Sequence, residues 1–160
     1  MNQTKNSTVL NIILLFSIFS LLIAYFIQYI LGHKPCNLCL IERVPYILAI
    51  IIITLNLIIK KFEKIFIILL SLIFTVAASI SFYHFGIEQG FISESLVCNL
   101  SNESNNLSKE DLLKQLSEKI ISCKEVSFKI FGLSLATINT IISLILVAIT
   151  TELFLNYEKK

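Results

Sequence analysis

Four apolar stretches, Val9–Leu31, Leu40–Ile59, Ile65–Phe85 and Ile130–Leu155, run through the chain. Each is near or above the ~20 residues that carry a helix across a hydrocarbon core of about 30 Å. Composition agrees: 56% of the 160 residues are hydrophobic and only 15% are charged, where a soluble domain carries about a quarter charged residues. The expected fold class is therefore an all-α membrane protein, one domain over residues 1–160. Four transmembrane helices form a bundle, at about 9–31, 40–59, 65–85 and 130–155, and an outer loop spans about 86–129. The first run follows Lys5 as a signal peptide's apolar region would. At about 23 residues it is longer than the ~7–15 of such a region, and no small-residue cleavage site follows it, so it reads as a retained anchor.

Lysine placement orients the bundle, because short cytoplasmic flanks hold excess Lys and Arg. Lys5, Lys60, Lys61, Lys64, Lys159 and Lys160 fall on one side, with Lys34 in the short turn opposite. Both termini are thus expected in the cytoplasm. The segment Gly86–Lys129 holds five Lys against seven acidic residues, a balance compatible with the outside. A net charge of +2 spread over membrane flanks does not point to nucleic acid. The partner surface it implies is the lipid bilayer.

All four cysteines, Cys36, Cys39, Cys98 and Cys123, fall on the outer face by this orientation. Disulfides persist outside the reducing cytosol, in a bacterium the periplasm, so lysine bias and cysteine position agree. Within the outer loop, Ser93–Asn106 reads as irregular and Ser108–Ser122 as a short surface helix. Ser108 is placed as its N-cap, Glu110 and Asp111 lie in its first turn, and Leu112, Leu113, Leu116, Ile120 and Ile121 form an apolar face.

Cys36-Asn37-Leu38-Cys39 spaces two sulfurs for a reversible disulfide, and a helix N-terminus favours the thiolate that attacks other disulfides. Arg43, four residues beyond Cys39, would lie one turn deeper on the same helix face. There its permanent charge would lower a thiol pKa or meet negative charge on a bound redox partner, unless it pairs with Glu42 or snorkels to the interface. His84, near the outer end of the third span, could hydrogen-bond an acceptor or relay a proton. Asn139 is expected to hold helices together. Metal readings are weak: tetracysteine zinc sites draw on two C-x-x-C knuckles or added His, and haem attachment needs His where Leu40 stands. Cys98 and Cys123 could equally staple their loop.

Pro35-Cys36-Asn37-Leu38-Cys39 with Glu42-Arg43, then Tyr83-His84, Gly86-Ile87-Glu88, Cys98, Cys123 and Gly132-Leu133-Ser134-Leu135-Ala136, resembles the disulfide bond formation protein B (DsbB) family, in order over roughly residues 10–155. That resemblance implies a bacterial inner-membrane thiol oxidoreductase. It would reoxidise a periplasmic thioredoxin-like (DsbA-type) dithiol protein and pass electrons to a membrane quinone, ubiquinone or menaquinone. Carried over, Cys98 takes the partner's attack, Cys123 exchanges with Cys36, and Cys39 faces the quinone, which Arg43 polarises and His84 assists. Cys98, in the loop, is expected to be accessible. Two other readings stand beside this one. One is a non-catalytic membrane scaffold with structural disulfides; the other is a quinone reductase similar to vitamin K epoxide reductase, in which the C-x-x-C comes late in the bundle rather than first.

Overall fold

The computed structural model describes residues 2–59, 62–93, 98, 123, 129–130 and 132–158. Buried in lipid, a backbone must satisfy its own N–H and C=O groups, which leaves the helix as the way for an isolated apolar run to cross. The chain obeys this with helix α1 (Asn2–Tyr29), the short α2 (Asn37–Ile41), α3 (Val44–Ile58) and α4 (Glu63–Glu88). A two-stranded hairpin, β1 (Lys129–Ile130) and β2 (Leu133–Ser134), then leads into helix α5 (Leu135–Glu158). Among the described residues, four stretches are long and apolar enough to span a membrane: Asn6–Tyr29, Asn37–Ile58, Glu63–Glu88 and Leu135–Asn156. The expected four-helix membrane bundle is thus the observed fold. The expected surface helix at 108–122 lies outside the described residues.

The second span is broken where a single helix was expected. Pro45 lacks an N–H and its ring would strike the carbonyl of residue i−4, here Ile41. The chain responds by ending α2 at Ile41, turning through Glu42 and Arg43, and restarting α3 with Pro45 in its first turn. There the missing donor is one that has no intrahelical partner in any case.

Helix α4 ends where Gly90 takes φ +78°, with the amides of Phe91 and Ile92 both returning to the Gly86 carbonyl, at 2.9 and 3.2 Å. A Cβ on Gly86 would sit 2.6 Å from the Ile92 side chain, so glycine permits this reversal to pack flat on the helix. At the hairpin, Lys129 pairs with Ser134 and Ile130 with Leu133, and Gly132 supplies the positive φ of +83° that the tight turn needs. Ser134 then caps α5, its Oγ accepting from the Thr137 amide at 3.1 Å.

The bundle core draws on every span: Leu10 and Ile13 of α1, Tyr46, Ala49 and Ile53 of α3, Ile67, Leu70 and Phe74 of α4, and Leu146 and Leu153 of α5. The most extensive helix contact is between α4 and α5. Large apolar side chains also cover the outside, among them Leu15, Phe19, Leu22, Leu72, Phe82 and Leu144. A helix that is apolar all round is one solvated by lipid. Because lipid is as apolar as leucine, packing rather than water exclusion holds the helices together, and fully buried Ser17, Ser81 and Ser143 let backbones approach closely.

Phe74 is fully buried with its ring edge-on to Tyr46, centroids 6.4 Å apart, whereas Phe82 on the same helix is 63% exposed. Phe74→Ala should destabilise the detergent-solubilised protein by roughly 3 kcal/mol, the low end for a buried Phe→Ala because only packing is lost. Phe82→Ala should change the melting temperature little. Thermal unfolding of both variants by near-UV circular dichroism checks the contrast.

Candidate redox site

Cys36 is the N-cap of α2: its Sγ accepts the Cys39 amide N–H at 3.3 Å. The same turn brings the Cys39 Sγ to 2.8 Å from the Cys36 Sγ, both as free thiols, with Cys36 buried and Cys39 half-buried. From α4, His84 places Nε2 3.6 Å from the Cys36 sulfur. The Cys36 thiol is held well below its ordinary range, chiefly by the hydrogen bond from the Cys39 side chain and also by His84, against burial that opposes ionisation.

His84 is itself held. Its Nδ1 lies 2.8 Å from Glu42 Oε1, so Nδ1–H donates to the carboxylate and Nε2 is left to face the sulfur. The other carboxylate oxygen, Glu42 Oε2, accepts from Asn139 Nδ2 at 2.8 Å. Asn139 also donates to Ser81 Oγ at 2.7 Å and accepts from the Tyr46 hydroxyl at 2.6 Å. One connected set of polar groups therefore joins α3, α4 and α5 beneath the thiols. Asn139 does hold helices together, as expected, and it does so through Glu42. A second carboxylate, Glu88, stands one helical turn beyond His84, 3.9 Å from Nε2, and accepts a hydrogen bond from Ser134.

Arg43 goes elsewhere. Its Nη1 donates to Gln28 Oε1 of α1 at 2.6 Å and its guanidinium lies over the Tyr25 ring, 5.0 Å from the centroid. It does not pair with Glu42, although the two are adjacent. It follows Cys39 by one turn of right-handed helical backbone that passes from α2 into α3. Cys39, Arg43 and His84 nonetheless line one cavity of about 270 Å³, walled mostly by apolar side chains such as Ala24 and Ile27 of α1. That volume is at the lower edge of the usual range for small-molecule sites.

Cys98 and Cys123 form a disulfide, and both are 2% exposed. They pack with Cys36, Leu38 and Ile87 in one buried cluster, and Cys123 also lines the cavity. The expectation that Cys98 is accessible is corrected: it lies against the end of the bundle. All four cysteines and His84 are thus gathered at one end of the helices.

Glu42 is the site residue that sequence reasoning passed over, because its neighbour Arg43 looked like a sufficient partner. A signal was there: an ionisable side chain within a span is costly unless paired, and is a functional position by default.

The model of the family "Disulfide bond formation protein DsbB" matches residues 6–152. A relative, "Uncharacterized protein RP370" of Rickettsia prowazekii (strain Madrid E), is 33% identical over 154 residues, which cover 94% of this chain and 89% of the relative. No solved structure matches.

Replacing Asn139 with Leu removes a partner from Glu42, Ser81 and Tyr46 at once. Leaving buried polar groups unsatisfied costs about 1–3 kcal/mol each, so Asn139→Leu should lower the melting temperature in detergent by about 5 °C or more. Ser79→Ala, which removes an exposed hydroxyl bonded only to the Thr75 carbonyl of its own helix, should not.

Proposed function

The chain belongs to the DsbB family of disulfide bond formation proteins, a multi-pass membrane family, and from that premise we propose that it reoxidises a periplasmic thioredoxin-like dithiol protein of the DsbA type and passes the electrons to a membrane quinone. The observation that carries this reading is a juxtaposition. A loop disulfide, a C-x-x-C dithiol with a histidine on it, and a mostly apolar cavity lined by an arginine meet at one end of the bundle.

Electrons enter as a thiol pair. The partner's thiolate attacks Cys98 Sγ, the Cys98–Cys123 bond breaks, and Cys123 leaves as a thiolate. The partner's second thiol then displaces Cys98, so the partner departs as a disulfide and the loop keeps two electrons as a dithiol. Because Cys98 is buried, this attack needs local opening around it. With Cys36 and Cys39 in their disulfide state, the Cys123 thiolate would attack Cys36 Sγ, and the Cys36–Cys39 bond would break with Cys39 leaving as thiolate. Cys98 would then displace Cys36 from Cys123, so that the loop disulfide re-forms and Cys36 and Cys39 hold the electron pair within the cluster they share. His84 Nε2 holds or returns the proton at the Cys36 sulfur, and Glu42 fixes the ring so that Nε2 faces it.

The cavity fits a quinone head group: mostly apolar surface for a lipid-soluble ring, with Cys39, Arg43 and His84 among the groups that line it. A quinone bound there supplies a two-electron, two-proton acceptor. Toward it, Cys39 presents its sulfur, Arg43 offers a fixed donor already oriented by Gln28 and Tyr25, and the α1 side chains exclude water. The lysine flanks support a topology with both termini in the cytoplasm and the cysteine end of the bundle at the periplasmic face of a bacterial inner membrane.

Purified protein given a reduced thioredoxin-like partner and a soluble quinone should bleach the quinone absorbance. Cys39→Ala should abolish turnover, and Arg43→Met should raise the KM for quinone about tenfold, equivalent to ~1.4 kcal/mol of lost binding. Undiminished turnover in Cys39→Ala would exclude this relay.

A further inference from the structure

The dithiol has a property separate from redox exchange. Cys36 Sγ, Cys39 Sγ and His84 Nε2 all lie within 4.8 Å of one another, which is the donor set of a Cys₂His zinc site with its fourth position open. Bond lengths sharpen the comparison. With Zn–S near 2.3 Å and Zn–N near 2.0–2.1 Å, tetrahedral coordination separates sulfur from nitrogen by about 3.6 Å and sulfur from sulfur by about 3.8 Å. The Cys36 Sγ to His84 Nε2 distance is 3.6 Å. The two sulfurs, 2.8 Å apart, must separate by about 1 Å, within reach of a rotation of the half-buried Cys39 side chain.

The histidine is prepared for the same task. Metal-bound His characteristically donates its other ring N–H to a carboxylate, which fixes the tautomer and raises ligand basicity. Glu42 does this at 2.8 Å and is in turn anchored by Asn139. The nitrogen left over is Nε2, the one that faces the sulfur. Glu88, 3.9 Å from Nε2, adds a second carboxylate near the charge of a bound cation. The cavity beside Cys39 leaves room for a water at the fourth position.

We propose that the reduced form of this protein binds one thiophilic divalent cation, zinc or a similar metal, through Cys36, Cys39 and His84, with Glu42 as the positioning residue for His84. Binding replaces the two protons held among Cys36, Cys39 and His84 with metal bonds, releases both, and changes no oxidation state. The disulfide form has no thiolates to offer and does not bind. A dithiol tied up as zinc thiolates cannot close to its disulfide, so zinc would hold the protein in its reduced state until a chelator removes it. This last consequence rests on the proposed thiol oxidase activity; the binding itself does not.

The full-length Cys98→Ser/Cys123→Ser variant in detergent leaves Cys36 and Cys39 as the only cysteines. Reduced with a phosphine, desalted under argon and titrated with Co²⁺, it should take up one ion per chain. Sulfur-to-cobalt charge-transfer bands should appear in the near ultraviolet with intense tetrahedral d–d bands in the visible, and Zn²⁺ should bleach both. The same variant oxidised to the Cys36–Cys39 disulfide should show neither. His84→Ala should weaken binding at least tenfold, and Glu42→Gln, which preserves shape should the alanine variant fail to fold, by about 10–100-fold. Absent bands in the reduced form, equal binding by the oxidised form, or unchanged affinity in Glu42→Gln would each overturn the site. The wild-type quinone assay separates the two readings. Turnover without Co²⁺ binding rejects the metal site and leaves the oxidase, whereas Co²⁺ binding without turnover under any quinone does the reverse.

Discussion

The carboxylate of Glu42, 9% exposed at the end of a membrane bundle, is the constraint on which the site depends. A carboxylate removed from water without partners costs several kcal/mol even after relaxation, so its two oxygens must be occupied, and they are, by His84 and Asn139. Those two bonds decide more than their own geometry. They choose the tautomer of His84, point its second nitrogen at Cys36, and tie the break between α2 and α3 to both α4 and α5. The thiol pair is therefore mounted on a polar lock at the place where the helices meet rather than on a free turn.

That lock is seated just ahead of Pro45, where α2 gives way to α3. The backbone stays right-handed helical through Glu42 and Arg43, and adjacent residues on such a backbone point about 100° apart. One turns inward to α4 and α5, and the other turns to Gln28 and Tyr25 of α1. Two opposite charges next to each other in sequence thus serve opposite walls of one cavity. A surface ion pair between them would have contributed at most ~1 kcal/mol and positioned nothing.

The spans, and hence the architecture, were legible in the sequence because lipid imposes a length and a composition that few other environments require. Their ends were less so: the third span runs on to Glu88 instead of stopping near Phe85, and the fourth starts at Leu135 after a hairpin. Such ends are set by Gly86, Gly90, Gly132 and the Ser134 cap, local devices that hydropathy does not register. Within the site, Cys36, Cys39, Arg43 and His84 were legible as chemistry, and the structure brings them to one cavity. Glu42, Gln28, Tyr46 and Ser81 were not legible as a set, since a hydrogen-bond network among residues 15 to 97 positions apart leaves no local pattern. The burial of Cys98 escaped for the same reason. A polar sequence context describes neighbours along the chain, while Cys98 takes its surroundings from Leu38 and Ile87.

The two halves of the dithiol have different surroundings, and this bears on how two electrons could cross from a protein thiol to a lipid-soluble acceptor. Cys36 is buried in the cluster that holds Cys98 and Cys123, with His84 on it, whereas Cys39 is half-buried beside that cluster. Thiol exchange needs a sulfur that can meet another sulfur and shed or regain a proton nearby, and Cys36 has both. The proposed delivery into the membrane would need a sulfur and a fixed cation at one apolar cavity, and Cys39 and Arg43 line the same one. With 2.8 Å between the sulfurs, closing their disulfide joins the two environments in one bond. A relay of the proposed kind would need local opening around Cys98 and sulfur exchange within this cluster, but beyond Cys36 only the opening and closing of that bond.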